Sequence, residues 1–215
     1  MEEVYKWCNI VDHHKLFSTH LFVFDNFLDG VQHKADVEDM KCYISTAWKK
    51  RDYDNNWQTK SANLHHQSEF KLFSDTIIQS NKDILKLLDY NVEDIVITDM
   101  WANVLKPNEG HPPHTHSNNF FSGVYYLYSD RNAGITFQDP RPASDVIVPR
   151  KKEKTLDNSS FVEYASKTNR AIIFPAWLMH WVPINKSTKN RISISWNIQL
   201  QGQLGEHHEF QSAQY

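Results

Sequence analysis

From about residue 94 onward the sequence loses any helical rhythm. Short runs rich in Val, Ile, Phe, Tyr and Trp follow one another: DIVITDMWANVL (94–105), FFSGVYYLY (120–128), GITFQ (134–138), DVIV (145–148), SFVEYA (160–165), RAIIFP (170–175) and RISISWNIQL (191–200). Each has the length of a strand, and β-branched and aromatic residues suit a pleated, half-buried surface. Turn chemistry separates them, with Pro, Gly, Asn and Asp gathered in LKPNEG, SDRNAG, DPRP and INKSTKN. Before residue 94 the period is different. Val37, Met40, Ile44 and Trp48 recur at three- and four-residue steps within 34–49, as do Phe70, Phe73, Ile77, Ile84 and Leu88 within 70–88, which predicts two amphipathic helices. Strands in this number after two helices predict a mainly β fold, a sandwich or barrel flanked by helices.

No repeat, low-complexity tract or Gly/Ser linker divides the 215 residues. A chain of this length can bury one substantial core, so a single domain over 1–215 is expected, with a largely helical support region (1–93), a β core (94–200) and a C-terminal tail (201–215). The formal net charge of −3 gives no broad basic surface for counterion release, so nucleic acid is not an expected partner. Cys8 and Cys42 have neither metal-type nor redox-type spacing, which fits a reducing compartment. The opening MEEVYKWCNI lacks the basic start and apolar stretch of a secretory signal. No window approaches the roughly 18 uninterrupted apolar residues of a membrane span. The expected location is the cytoplasm, and nothing specifies an oligomeric state.

GHPPHTHSNNFFSGVYYL (110–127) carries the densest chemistry. Pro112 and Pro113 remove two backbone donors and favour extended geometry, which excludes a helical His pair. In an extended segment His114 and His116 project to one side about 6.6 Å apart, at roughly 3.3 Å of rise per residue, close enough to converge on one ion. His111 would sit about 9 Å from His114 at the polyproline rise of roughly 3.1 Å, which suits a place beside the site or at its mouth. A third ligand must come from elsewhere, and AIIFPAWLMHWVP offers His180. Taken alone, His180 reads more simply as a core histidine bonded to a carbonyl, and His-x-His as surface residues in a chain with 12 histidines. The pairs His13/His14, His65/His66 and His207/His208 read as solvated. In RISIS, strand alternation puts Arg191, Ser193 and Ser195 on one face and Ile192, Ile194 and Trp196 on the other. An Arg that opens an apolar strand calls for an anion: its fork suits a carboxylate, and Ser193 could bind the same group. An edge strand with a terminal Arg is the plainer alternative.

Taken in order, these blocks resemble the 2-oxoglutarate and iron(II)-dependent oxygenase superfamily. Within it they resemble the oxygenases of about this length, several of them phage-borne, whose pattern runs W-x-N, H-x-H, S-G-V-Y-Y-L, F-x-D-P, F-P-x-W-L-x-H and R-I-S-I-x-x-N. Each block is present, as Trp101/Asn103, His114/His116, Ser122 to Leu127, Phe137 to Pro140, Phe174 to His180 and Arg191 to Asn197. The likeness is strong over about 95–200 and weak over the helical front. It implies a double-stranded β-helix, the jelly-roll or cupin-like core, with His114, His116 and His180 as metal ligands. Arg191 and Ser193 would hold the far carboxylate of 2-oxoglutarate, Tyr126 would contact it, and Tyr125 would face the opposite core. Asn103 and Asn197 are candidates for the cosubstrate or substrate wall, a structural Asn being the alternative. No catalytic side chain is expected beyond the metal centre.

The implied cofactors are Fe(II), 2-oxoglutarate as cosubstrate and O2. The implied reaction is hydroxylation of an unactivated C–H bond in a small molecule or protein side chain, with release of succinate and CO2. It would proceed in the host cytoplasm if the gene is phage-borne. The loop from Asp139 to Ser160 and the edge at His111, Pro112 and Pro113 would frame the substrate mouth. Most of the superfamily carries a carboxylate where this chain has His116. Three neutral imidazoles keep the metal's full +2 charge, so a dianionic cosubstrate gives a neutral centre, and the site would also accept zinc or nickel. Imidazoles with a reference pKa of about 6.5 must be deprotonated to bind, so metal affinity is expected to fall below about pH 6. The rivals are a three-His zinc hydrolase or hydratase and a non-catalytic protein stapled by its metal.

Overall fold

A computed structural model of the chain describes residues 12, 14–29, 31–50, 57–205 and 212–215. Cys8, His13, His207 and His208 lie outside the described residues; Cys42 is an exposed free thiol. The two predicted helices form as α1 (Val31–Thr46) and α2 (Lys71–Leu87). Met40 and Ile44 of α1 and Phe73, Ile77 and Ile84 of α2 are buried, as their spacing requires. Helix α1 stops short of Trp48. That residue opens a strand instead, β2 (Trp48–Lys50), whose ladder with β3 (Trp57–Thr59) outcompetes one more helical turn. His66 is exposed, whereas His65 is half-buried rather than solvated.

Two antiparallel sheets make the body. Besides β2 and β3, their strands are β1 (Phe22–Asp25), β4 (Asp94–Leu105), β5 (His111–His114), β6 (Phe121–Tyr128), β7 (Ile135–Gln138), β8 (Phe161–Tyr164), β9 (Arg170–Pro175), β10 (His180–Val182) and β11 (Arg191–Gln201). The larger sheet runs β1-β9-β6-β11-β4-β3-β2 and the smaller β5-β10-β7-β8, a mainly β jelly-roll arrangement. The N-terminal region thus supplies strands at both edges of the larger sheet as well as helices. A short pair, β12 (Gln203–Leu204) with β13 (Ala213–Gln214), closes the C-terminal end. Among the described residues no helix is long and apolar enough to cross a membrane.

Strand alternation divides the core in two. Tyr125, Leu127, Ile173, Ile194 and Trp196 pack with Phe73 and Ile77 on the helix side of the larger sheet. Val124, Tyr126, Ile172 and Phe174 point the other way, against Ile135 and Phe137 of the smaller sheet. The adjacent tyrosines therefore serve opposite cores. Gly123 is needed in β6 because a Cβ there would lie 2.2 Å from Cζ2 of Trp196. The double proline also has a place. β5 is an edge strand of the smaller sheet, where a residue without an N–H breaks no inner ladder and discourages pairing with another chain.

One predicted strand does not form. Residues 142–147 are turns and bends, and Val146, Ile147 and Val148 are exposed. Between Pro142 and Pro149 no strand among the described residues offers them a ladder, and β propensity without a surface to pack on specifies nothing.

Candidate metal centre

Strands β5 and β10 pair antiparallel with His114 opposite His180, so both rings stand on one face with centroids 4.3 Å apart. The chain leaves the ladder after His114, and the backbone N–H of His116 donates to the Ala176 carbonyl at 2.9 Å. That bond turns His116 back over the site. Its ring lies nearly parallel to that of His180, at 5.1 Å and 16°. One ligand atom from each of the three lies within 4.8 Å of the others, and this is the one such cluster among the described residues.

The ring protons are arranged for ligation. Nδ1 of His180 is 2.8 Å from the Leu178 carbonyl and Nδ1 of His114 is 2.9 Å from the Pro112 carbonyl. A carbonyl can only accept, so each Nδ1 carries its proton and each Nε2 keeps a lone pair. The Nε2 atoms of His116 and His180 face each other at 3.3 Å. Two lone pairs at that separation repel unless a proton or a cation lies between them. Ligands about 2.1 Å from one metal and at right angles to each other are roughly 3.0 Å apart, so the spacing suits a shared ion. Burial, together with the charge His114 would carry, pushes His116 down to about 4 and His180 to about 3; His111 adds to the first, and the Leu178 bond opposes the second. Both imidazoles are therefore neutral at pH 7, the form a metal needs. The cluster fits Fe(II). His111 stands beside it, Nδ1 to Nδ1 with His114 at 3.2 Å.

A second polar corner lies across the same cavity. Arg191, the first residue of β11, is 4% exposed, and none of the ion pairs formed by the described residues includes it. Its guanidinium carbon is 4.8 Å from the centre of the Tyr126 ring, Nη1 reaches Ser193 Oγ at a long 3.4 Å, and Nε has no partner. The Tyr126 hydroxyl is likewise buried, and burial raises its pKa against the opposing pull of the adjacent Arg191 guanidinium, so it is neutral. A buried guanidinium without an anion is costly. A guanidinium with an unused Nε–H and a weakly held Nη1 fits a carboxylate.

Ladder register gathers the rest. Ser193 is opposite Tyr126 on one side and Asn103 on the other, so the three stand in one row across neighbouring strands; Asn103 and Ser193 line the cavity, while Tyr126 is fully buried against Arg191. His114, His116, His180, Arg191, Ser193 and Asn103 line that cavity with apolar Val124, Ile135 and Phe174. Asn103 Nδ2 is 3.5 Å from Ser195 Oγ. Asn197 is not among the lining residues. It lies two positions beyond Ser195, where its Oδ1 accepts from Ser122 at 2.8 Å and its Nδ2 faces Asp99 at 3.5 Å, so it is the hydrogen-bonded structural Asn. The nearby carboxylates are engaged elsewhere: Asp139 pairs with Arg141 at 2.6 Å, and Glu109 accepts from the N–H of Lys106 at 2.7 Å. Sequence reasoning overlooked Trp101 as a site residue. Its ring lies 5.9 Å from that of His116, on the cavity wall two residues before Asn103, and the i, i+2 alternation of β4 was the available signal.

Residues 99–197 match the family model described as "Putative 2OG-Fe(II) oxygenase". Among solved structures the chain is similar to a Pseudomonas putida prolyl-4-hydroxylase, with a TM-score of 0.58 and 12% identity over 86% of this chain and 95% of that one. HygX from Streptomyces hygroscopicus, with nickel, 2-oxoglutarate and hygromycin B bound, gives 0.60 and 8% over 84% and 83%. The viral collagen prolyl hydroxylase of Paramecium Bursaria Chlorella virus-1, in its 2OG complex, gives 0.53 and 14% over 83% and 94%. At such identities these likenesses establish the fold. No curated protein matches the chain.

Proposed function

We propose that this chain, whose residues 99–197 match the model of the 2-oxoglutarate/Fe(II)-dependent oxygenases, is such an oxygenase and hydroxylates an unactivated C–H bond at the cavity described above. His114, His116 and His180 would hold the metal, and Arg191, Ser193 and Tyr126 the far carboxylate of 2-oxoglutarate. Iron(II) with 2-oxoglutarate and O2 supplies the oxidising power, leaving succinate and CO2 as co-products. The observation that carries this reading is Arg191: a buried guanidinium with no anionic partner among the described residues, in the same cavity as three clustered imidazoles.

The chain's own residues contribute binding, orientation and dryness. The carbonyls of Leu178 and Pro112 fix two imidazoles in the tautomer that aims Nε2 inward. Arg191 supplies charge, while Tyr126 and Ser193 supply neutral donors, which together match one carboxylate. Val124, Ile135 and Phe174 keep water from the space between. Three neutral ligands leave the +2 charge to be balanced by the cosubstrate dianion, which strengthens its binding. A zinc hydrolase would need a general base, and among the described residues no carboxylate lines the cavity. The N-terminal region belongs to the same functional unit in this reading, since β1, β2 and β3 extend the larger sheet. The substrate is a small molecule or a protein side chain.

The test compares wild type with Arg191→Ala. Wild type with Fe(II) and 2-oxoglutarate should form succinate slowly without added substrate. The variant should need far more 2-oxoglutarate for the same rate while binding metal almost as before. Equal dependence on 2-oxoglutarate in both proteins removes the cosubstrate assignment.

A further inference from the structure

We infer that Asn185 is a positioning residue that sets the separation between the three histidines and Arg191, an inference that rests on the reading of the site proposed above. Asn185 is 1% exposed, in the connection between β10 and β11. Every polar atom it carries is engaged. Its Nδ2 donates to the carbonyls of Leu105 at 3.1 Å and Lys189 at 2.9 Å, and its Oδ1 accepts from the N–H of Ser187 at 3.1 Å. Its own N–H donates to the Glu109 carbonyl and its carbonyl accepts from Asn108, both at 2.8 Å.

Those partners sit at the strand ends that carry the site. Leu105 closes β4 and is the ladder partner of Arg191; Lys189 precedes Arg191 by two residues. Glu109 precedes His111 by two residues, where β5 begins, and β5 pairs with β10 through His111 opposite Val182 and His114 opposite His180. One carboxamide therefore holds both backbones beside Arg191, while the peptide groups of the same residue hold the turn that leads into the histidine strand.

This matters because the histidine strands and the arginine strand belong to different sheets, with no ladder between them. At this end of the jelly roll their relative placement depends on the connections, and Asn185 joins two of them. The turn is also tightly seated, since a Cβ on Gly110 would lie 3.1 Å from the Val182 carbonyl. A ligand that must reach from the imidazoles to a buried guanidinium tolerates little change in that span, and at a reacting centre a displacement of about 1 Å can cost on the order of a hundredfold in rate.

The experiment measures binding of Mn2+, then of 2-oxoglutarate to the Mn2+-loaded protein, by calorimetry. Asn185→Ala should bind Mn2+ within about threefold of wild type and 2-oxoglutarate about tenfold or more weakly. Asn185→Ser, whose hydroxyl can restore one donor, should fall between, and it carries the test if the alanine variant does not fold. Asn169→Ala is the control for stability. Its amide ties Leu28 at 2.8 and 2.7 Å and Tyr125 at 3.2 Å on the helix side of the larger sheet. That variant should melt earlier with 2-oxoglutarate affinity unchanged. Unchanged affinity in the Asn185 variants, or an equal loss in Asn169→Ala, overturns the positioning role. Wild type that binds Mn2+ but no 2-oxoglutarate overturns the cosubstrate reading and this inference with it, whereas failure of the variants alone leaves that reading intact.

Discussion

Replacing Arg191 by methionine should make the metal-free protein more stable while removing its affinity for 2-oxoglutarate. The guanidinium is 4% exposed, has no acidic partner, and its Ser193 contact is 3.4 Å long, so little offsets the cost of taking it out of water. What the substitution loses is the contact with the Tyr126 ring at 4.8 Å, about 1–2 kcal/mol for a desolvated cation over an aromatic face. What it removes is a desolvation penalty of several kcal/mol, and replacing buried charges by apolar side chains of similar volume often stabilises a protein by about 1–4 kcal/mol. The balance is about 1–3 kcal/mol in favour of Arg191→Met, or a rise of roughly 2–12 °C in melting temperature for a domain of this size. The assay is thermal unfolding in chelator and again with Mn2+ and 2-oxoglutarate. With cosubstrate at about one thousand times its Kd, wild type should gain about 4.1 kcal/mol and the order should reverse. A variant less stable than wild type in chelator would mean that the guanidinium is already compensated in the empty cavity, and the argument for an anion there would fail.

Four further outcomes follow from the geometry. His116 and His180 have pKa values of about 4 and 3 in the fold against 6.5 when exposed, so their stabilising contribution is complete above pH 6.5 and is lost as pH falls towards those folded values. Two such groups at about 1.4 kcal/mol per pH unit each make the metal-free protein about 2–3 kcal/mol less stable at pH 5.5 than at 7.5; denaturant titration at both values checks this, and a flat response contradicts it. For the same reason these two histidines should hold metal to lower pH than the free-imidazole expectation of about pH 6. His111→Ala should leave Mn2+ affinity within a few-fold of wild type while His180→Ala abolishes it, and similar losses in both would make His111 a ligand. Gly123→Ala should cost about 2 kcal/mol or more, read by denaturant unfolding, because the added methyl meets the Trp196 indole rather than space.

Much of this site was legible in the sequence because its residues sit on strands, where the two-residue period fixes direction. Arg191 and Ser193 on one face, and Tyr125 and Tyr126 on opposite faces, follow from alternation alone. His116 was harder: it lies past the end of β5, and the bond to Ala176 that turns it inward joins segments far apart in sequence. Asn197 shows the limit of the same rule. Alternation gives a residue's face but not how far along the strand the cavity extends, and Asn197 falls beyond its edge. DVIV failed for lack of a neighbouring strand, and Trp48 fitted a helical period yet opened a strand, because in both cases the deciding partner is not local. Asn185 had no signal at all, since a loop asparagine reveals its five hydrogen bonds only when its partners are in place.

The most direct test is a crystal structure of the protein with Mn2+ and 2-oxoglutarate. The account predicts one metal ion on Nε2 of His114, His116 and His180, with the far carboxylate of the cosubstrate against Arg191. A metal bound without His180, or a cosubstrate whose carboxylate avoids Arg191, would contradict it.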